Sequence, residues 1–132
     1  MPVFDASVLV DYLAGGEYAN QVRDHLLNHN EGLWAPHLVD AEVGHVLRRA
    51  VLIGELRPSI AGAALTALAD LPLRRAGHRG LLARAWALRA TVTFYDALYV
   101  ALAERLDMPL LTLDGRLAAA SGLGAVILVL GG

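Results

Sequence analysis

Four acidic side chains stand where they could act together on a metal ion. Asp5 follows the first short apolar run of the chain, and Asp114 follows the run Leu110–Leu113. Asp96 lies in the first turn of a predicted helix, and Glu42 lies in the early half of another. Carboxylates gathered at one point repel each other unless a cation neutralises them, and Mg²⁺ and Mn²⁺ prefer such oxygen ligands. One or two of these ions would support phosphodiester hydrolysis by activating water.

The same acids also have a purely structural interpretation. An Asp between a strand and a helix is commonly an N-cap, and this preference favours capping for Asp5, Asp96 and Asp114 taken singly. Glu42 lies on one flank of a valine stripe and Asp40 lies on the other, so helical periodicity does not choose between them. The residue pattern alone therefore leaves capping and metal binding open.

The elements that must position these acids alternate between strand and helix. The predicted strands span 3–4, 33–35, 71–76, 108–113 and 126–129, and the predicted helices span 7–13, 17–29, 37–52, 58–70, 78–89, 95–106 and 117–121. The strand cores are continuously apolar, which is typical of a parallel sheet covered by helices on both faces. The sequence therefore predicts an α/β fold with the acids beyond the carboxyl ends of its strands.

Size and composition favour an ordinary globular protein. The chain has 132 residues, enough for a single domain over 1–132, and its 56% apolar content excludes disorder. Apolar stretches such as Ala125–Leu130 are far shorter than the ~20 residues of a membrane span. The amino-terminal segment carries no export signal, so we expect a cytoplasmic protein without membrane association.

Charge and missing residue types narrow the chemistry. The chain has no cysteine, which excludes thiol nucleophiles and zinc–thiolate sites. All of its cations are arginine, so a P-loop and Schiff-base chemistry are excluded as well. The net charge of −2 gives no global positive field, so nucleic acid would have to be held locally by arginine or through bound metal.

Four segments carry the acids in order along the chain: Val3–Val10, Pro36–Gly44, Tyr95–Glu104 and Leu110–Leu117. Together they resemble a PIN domain, and more narrowly the VapC-type toxins of bacterial VapBC toxin–antitoxin pairs, over essentially the whole chain. The resemblance implies a three-layer α/β/α fold around a central parallel sheet of about four to five strands. It also implies an Mg²⁺- or Mn²⁺-dependent ribonuclease that a cognate VapB-type antitoxin inhibits.

The resemblance assigns roles to individual residues. It makes four acids catalytic, namely Asp5, Glu42, Asp96 and Asp114, with the three aspartates as metal ligands. Two hydroxyl residues would support the site, Ser7 and Thr112, and Arg116 would contact the RNA phosphate.

The expected function is that of an endoribonuclease toxin. It would cleave tRNA or rRNA with a metal-activated water, leaving a 5′-phosphate and a 3′-hydroxyl, and so inhibit translation and growth. Another metal-dependent phosphohydrolase, or a non-catalytic PIN module that binds RNA or a partner, are the alternatives. The apolar helix predicted over 58–70 would be sticky if exposed, so we expect a homodimer that also binds an apolar antitoxin segment.

Several other residues are predicted to be structural. Asp11 is expected to be solvated or salt-bridged, and Asp40 is expected to be a cap or solvated, with an outer role in the site as its alternative. The two tryptophans are expected in the core or an interface, and Tyr95 and Tyr99 are expected to pack their helix.

Overall fold

Five parallel strands form the centre of the fold in a computed structural model, which describes residues 2–28 and 32–130. The strands are β1 (Val3–Phe4), β2 (Leu33–Pro36), β3 (Leu73–Ala76), β4 (Leu110–Thr112) and β5 (Ile127–Val129). The helices are α1 (Ala6–Leu13), α2 (Ala19–Asn28), α3 (Leu38–Leu52), α4 (Pro58–Asp70), α5 (Leu82–Ala87), α6 (Phe94–Leu106) and α7 (Gly115–Ala119).

The order of strands across the sheet is β3-β2-β1-β4-β5, with every pairing parallel. Val3 in β1 is paired with Trp34 of β2 on one side and with Leu110 of β4 on the other. The chain builds outward from β1 in one direction through β3 and returns to the other side with β4. This reversal between β1 and β4 is the place where open α/β sheets form their sites. The predicted three-layer α/β/α architecture is confirmed.

The helices are fixed to the sheet by their apolar faces. α3 buries Val39, Val43 and Leu47 on one stripe, as its periodicity predicts. The middle of α6 is buried all round, from Ala97 to Ala103, because this helix is apolar on most sides. The first turn of α6 is thereby held at the edge of the core, which fixes the backbone of Asp96.

Some predicted boundaries were wrong. The single helix predicted over 78–89 is a 3₁₀ turn, Arg79–Leu81, followed by the short α5. Gly80 at the centre of that turn is a poor α-helix former, which accounts for the break. The other elements agree with their predicted positions to within about two residues, although the predicted end of α2 at His29 lies outside the described residues.

Apolar residues remain on the outer faces of several helices. On α4 the buried stripe is Ala61, Ala64 and Leu68, while Ile60 and Leu65 are exposed. Within the described part of the chain, no helix has the length and apolarity that a membrane crossing requires.

Candidate active site

Asp5 is a buried carboxylate at the end of β1. Its side chain is the N-cap of α1 and accepts a hydrogen bond from the Val8 backbone N–H at 3.1 Å. Oδ1 also accepts from the Ser7 hydroxyl at 2.6 Å, and Oδ2 accepts from the Thr112 hydroxyl. Only 7% of Asp5 is exposed. Two hydroxyl donors beyond the cap bond therefore hold this carboxylate in one orientation.

The same two hydroxyls join the ends of β1 and β4. The Leu113 backbone N–H donates to Ser7 Oγ at 3.1 Å, and the Asp114 N–H donates to Thr112 Oγ1 at 2.9 Å. Each hydroxyl thus accepts from the segment after β4 while it donates to the carboxylate after β1. These four hydrogen bonds set the position of Asp114 relative to Asp5.

Glu42 is held from a different helix. The hydroxyl of Tyr99 on α6 donates to Glu42 Oε1 on α3 at 2.7 Å. Tyr99 is 1% exposed, so its ring belongs to the core and its hydroxyl meets the half-buried carboxylate at the edge of that core. The bond ties the direction of the Glu42 side chain to α6.

Asp96 lies in the first turn of α6, and Asp114 directly precedes the first turn of α7. The Thr93 hydroxyl caps α6 by accepting from the Asp96 N–H at 3.1 Å, which leaves the Asp96 carboxylate free of the capping role. Asp114 is the N-cap of α7 and accepts from the Arg116 N–H at 2.9 Å. The Arg116 guanidinium also folds back onto Asp114, with Nε at 3.2 Å from Oδ1, although this side chain is 92% exposed.

The four acids line one cleft, with a volume of about 440 Å³. Its walls come from α1, α3, α6 and the segment after β4: Asp5, Ala6, Ser7, Val10, Asp11, Glu42, Val46, Asp96, Tyr99, Leu113 and Asp114. Val46, which belongs to the stripe of α3 predicted to be buried, is instead 43% exposed and lines this cleft. The topology therefore brings together every acid that the resemblance implicates.

Electrostatics within the cleft favour protonation of three of the acids. Burial raises the pKa of Asp5, Glu42 and Asp96. Repulsion adds to burial: the charge of Asp96 raises the pKa of Asp5 and of Glu42, and the charge of Asp114 raises that of Asp96. Hydrogen bonds from Ser7 and Tyr99 oppose these effects without cancelling them.

Asp114 differs because a cation is beside it. The hydrogen bonds and charge of Arg116 lower the pKa of the Asp114 carboxyl. Asp114 therefore differs from the other three acids in the direction of its pKa shift, and its ion pair with Arg116 lies largely in solvent.

The donor chemistry of the cleft fits a hard divalent cation. All four acids offer oxygen, and their mutual repulsion is the interaction that such an ion relieves. Among the residues that the structure describes, no three acidic or histidine side chains surround one metal position as they stand. The residues fit the ion by type and charge, and closing on it requires side-chain movement into the cleft.

The competing acids take other roles. Asp40 forms a two-point ion pair with Arg75, at 2.7 and 2.9 Å, and does not line the cleft. Asp11 lies at the cleft wall and accepts from the Tyr18 backbone N–H at 2.8 Å, which closes the turn between α1 and α2.

Sequence reasoning missed Tyr99 and placed Tyr95 wrongly. Tyr99 packs in its helix as predicted, but its hydroxyl also holds Glu42. Its spacing of three residues from Asp96 puts both side chains on one helix face, which is the signal that could have identified it. Tyr95 does not pack its helix, since 60% of it is exposed. Trp86 is 61% exposed and carries Arg89 over its ring, so it lies outside the core of this chain.

A comparison with protein families decides the relationship. Residues 3–123 match the model of the PIN domain. The chain is a PIN-domain protein of the VapC type. The resemblance that four short segments indicate is therefore confirmed over nearly the whole sequence.

Known relatives of this PIN domain agree in sequence and in structure. It is 55% identical to ribonuclease VapC1 of Mycobacterium tuberculosis, over 92% of this chain and 91% of that protein. A crystal structure from Pyrobaculum aerophilum matches 96% of this chain and 92% of its own, with 29% identity and a TM-score of 0.67. A member of the VapBC family of toxin–antitoxin systems, VapBC-5 from M. tuberculosis, matches 98% of both chains with 23% identity and a TM-score of 0.61.

Proposed function

We propose that this PIN domain is an Mg²⁺- or Mn²⁺-dependent endoribonuclease toxin that cuts tRNA or rRNA and thereby inhibits translation and growth. The observation that carries the proposal is the gathering of Asp5, Glu42, Asp96 and Asp114 on one cleft at the carboxyl ends of β1 and β4. The 55% identity to a protein named ribonuclease supports RNA as the substrate.

Three aspartates would hold the ion in this proposal. Asp5, Asp96 and Asp114 approach the cleft from three different segments, and Glu42 adds a fourth carboxylate from α3. When bound, Mg²⁺ or Mn²⁺ would supply activation of water and neutralisation of charge on the phosphodiester. The hydroxyls of Ser7 and Thr112 keep Asp5 oriented so that its carboxylate does not have to be ordered on binding.

Arg116 is the proposed contact for the substrate phosphate. Its guanidinium is almost fully exposed and is held at the cleft by Asp114. A phosphate offers the same paired acceptors as that carboxylate, and arginine binds both in a two-point geometry. If Arg116 exchanged Asp114 for the substrate phosphate, the Asp114 carboxylate would become available to bind the ion when the substrate binds.

A cognate VapB-type antitoxin is the proposed regulator, and a homodimer is the proposed assembly. The VapBC-5 relative comes from a toxin–antitoxin family. Exposed apolar residues of this chain, such as Leu52, Ile53 and Leu65, supply surface for one or both interfaces. Light scattering that shows a monomer, together with no antitoxin-dependent stabilisation, would contradict this part of the proposal. A cytoplasmic location is part of the same proposal.

Cleavage of total tRNA and rRNA with Mg²⁺ or Mn²⁺ tests the nuclease directly. We expect discrete, chelator-sensitive fragments from the wild type and a loss of at least about 100-fold for Asp96→Asn, because a ligand to the ion is removed. Asp24→Asn is the matched control, since Asp24 is exposed on α2 and does not line the cleft. Equal activity of wild type and Asp96→Asn would reject the assignment.

A non-catalytic binding module is the second candidate. The observation in its favour is that the described acids do not surround a single metal position. That function predicts RNA binding by both the wild type and Asp96→Asn, no cleavage by either, and no heat of Mg²⁺ binding in calorimetry.

A further inference from the structure

A second cavity adjoins the carboxylate cleft on the side of α3. We call it the tyrosine pocket; its volume is about 330 Å³, and it is lined by Leu38, Ala41, Glu42, His45, Val46 and Tyr95. Glu42 and Val46 belong to the walls of both cavities, so the tyrosine pocket opens beside the acids. Its volume is in the ~300–1,000 Å³ range of sites for small organic groups.

Tyr95 is the distinctive wall of this pocket. It is 60% exposed although it precedes Asp96 directly in the first turn of α6. The buried middle of α6 and the Thr93 cap fix the backbone there, so the ring is presented next to the site on a rigid element. Among the described residues, the packing of the core leaves most of this ring uncovered.

A third cavity adjoins the cleft at two of the acids. It has a volume of about 200 Å³ and shares Asp96 and Asp114 with the cleft. Its other walls include the hydroxyl residues Thr91 and Thr93 and the cation of Arg116. The cleft thus shares walls with both neighbouring cavities. The third cavity carries the hydroxyls and the cation of Arg116, and the tyrosine pocket carries the exposed ring of Tyr95.

We propose that the tyrosine pocket binds an unpaired nucleobase of the RNA, next to the phosphate that is cut, by stacking it on Tyr95. This inference rests on the proposed ribonuclease function and adds a base-binding subsite to it. Single-stranded RNA is read by stacking splayed bases on aromatic side chains and by hydrogen bonds to their edges. Tyr95 supplies the aromatic face, Leu38 and Val46 supply apolar walls, and the exposed His45 supplies ring nitrogens for a base edge.

The order of the cavities determines how a strand would lie. Phosphates are held by cations and hydroxyls, so the backbone belongs at the Arg116 end, where those groups are found. A base on the other side of the cut phosphate then meets the aromatic wall of Tyr95. A base in a duplex is not able to enter the pocket, because it would first have to leave its pair and its stack. The enzyme is therefore expected to cut loops or single strands and to leave the same sequence uncut in a duplex.

Fluorescence of short oligoribonucleotides that carry 2-aminopurine at successive positions tests the subsite. Binding is measured in the Asp5→Asn background so that the probe is not consumed. We expect quenching of 2-aminopurine at one position beside the cleavage site, and Tyr95→Ala is expected to abolish this quenching and weaken binding roughly 5- to 150-fold. Tyr95→Phe keeps the ring and is expected to retain the quenching.

Trp86→Ala is the matched control, because Trp86 is as exposed as Tyr95 but lines none of the three cavities. It is expected to leave quenching and affinity unchanged. In cleavage assays of the otherwise unaltered protein, Tyr95→Ala is expected to raise KM more than it lowers kcat for single strands.

Three outcomes would overturn the subsite. The first is that the wild type cleaves RNA, but Tyr95→Ala does not change RNA affinity or 2-aminopurine quenching. The second is unchanged RNA affinity in Tyr95→Ala together with loss of the dimer or of antitoxin binding, which would assign the pocket to a protein partner. The third is a wild type that neither binds nor cuts single-stranded or structured RNA, and this result alone would also reject the ribonuclease function.

Discussion

For single residues of this protein, capping a helix and lining the cleft are not alternatives. Asp5 caps α1 by accepting a hydrogen bond from the Val8 N–H, and it also lines the cleft. The hydroxyls of Ser7 and Thr112 donate to its two oxygens and hold the carboxylate in that orientation. Asp114 likewise caps α7 while lining the same cleft. A carboxylate at the end of a strand is able to do both. The helix that follows has unpaired N–H groups to cap, and the carboxyl ends of the strands meet at the cleft.

Tyr99 is predicted to position Glu42. Tyr99→Phe removes only the hydroxyl that donates to Glu42, so we expect kcat to fall about 10-fold with KM nearly unchanged, as for other groups that orient a functional side chain. In a Glu42→Gln background, Tyr99→Phe should lower kcat little further, because both substitutions affect the same interaction. Steady-state cleavage of a defined RNA measures both quantities.

Tyr12→Phe is the control for that substitution, since it also removes a tyrosine hydroxyl but from a residue of α1 that lines none of the three cavities. It is expected to leave kcat unchanged. A large loss of thermal stability in Tyr99→Phe with an unchanged kcat would instead make the hydroxyl a structural group only.

Contacts between individual side chains were the feature that the sequence alone predicted least well. The acids were found because their resemblance to a family is carried by short local segments. The bond between Tyr99 and Glu42 joins residues that are far apart in sequence, and no local pattern records which faces of α3 and α6 meet. Tyr95 was misplaced for a related reason: aromatic residues usually pack, and only the tertiary structure shows a ring left beside a cleft.

At the scale of the element, α3 has an unusual beginning. Its N-cap residue, His37, has helical backbone angles and makes no capping bond with its side chain. The Leu38 N–H instead donates to Nε2 of His78, 40 residues later in the chain, at 3.0 Å. The helix that carries Glu42 therefore depends on a long-range cap from the segment after β3.

Removal of this cap is expected to destabilise the protein. His78→Ala leaves the Leu38 N–H without its acceptor, so we expect a loss of about 1 kcal/mol in the free energy of unfolding, measured by urea denaturation. His45→Ala on the exposed side of α3 is the control and should change stability by less than about 0.5 kcal/mol. Equal stabilities of the two variants would show that water replaces the histidine without cost.

The two acids that flank the stripe of α3 are expected to behave differently. Glu42→Gln should lower cleavage about 100-fold, because Glu42 lines the cleft. Asp40→Asn should leave cleavage within about 2-fold and cost at most about 1 kcal/mol of stability, since Asp40 only pairs with Arg75 near the surface. Parallel cleavage and denaturation measurements on both variants would decide, and a cleavage loss in Asp40→Asn would restore that acid to the site.

Element positions were largely predictable because they depend on periodic apolar patterns and on local stop signals. Continuously apolar strands and the stripe of α3 identified the parallel sheet and its covering helices. β3 begins directly after Pro72 and lies at the edge of the sheet, which agrees with the inability of proline to donate to a central strand pairing. The 3₁₀ turn at Arg79–Leu81 was missed because a single glycine inside a helical pattern is often tolerated and does not by itself predict a break.

At the scale of the whole molecule, the folded chain stores repulsion in one place while its net charge stays near zero. The total is −2, yet three carboxyls in the cleft have pKa values raised by burial and by each other. Ionising these groups costs more in the folded chain than in the unfolded chain. The ionised cleft acids therefore lower the free energy of unfolding of the metal-free protein.

This imbalance predicts a specific dependence of stability on pH. A carboxyl whose folded pKa is raised binds its proton more tightly when folded, so stability falls as pH rises from its ordinary value through the raised one. Asp114 and Glu104 have lowered pKa values and lose their stabilising effect only as pH falls below their ordinary values. The melting temperature of the metal-free protein should therefore contain a component that falls as pH rises above the ordinary pKa values of these carboxyls, and comparison with Glu42→Gln isolates the share of Glu42.

Mg²⁺ should oppose this loss of stability at higher pH, because it binds the ionised carboxylates. At lower pH it must first displace protons from them. We expect saturating Mg²⁺ to raise the melting temperature by several degrees near pH ~7.5 and by much less near pH ~5. Glu42→Gln should flatten the metal-free pH dependence, whereas Asp24→Asn on exposed α2 should leave it unchanged. An identical pH dependence of the metal-free melting temperature in the wild type and in Glu42→Gln, or an equal gain from Mg²⁺ at both pH values, would mean that the clustered acids are not the source of the pH dependence and that no ion neutralises them.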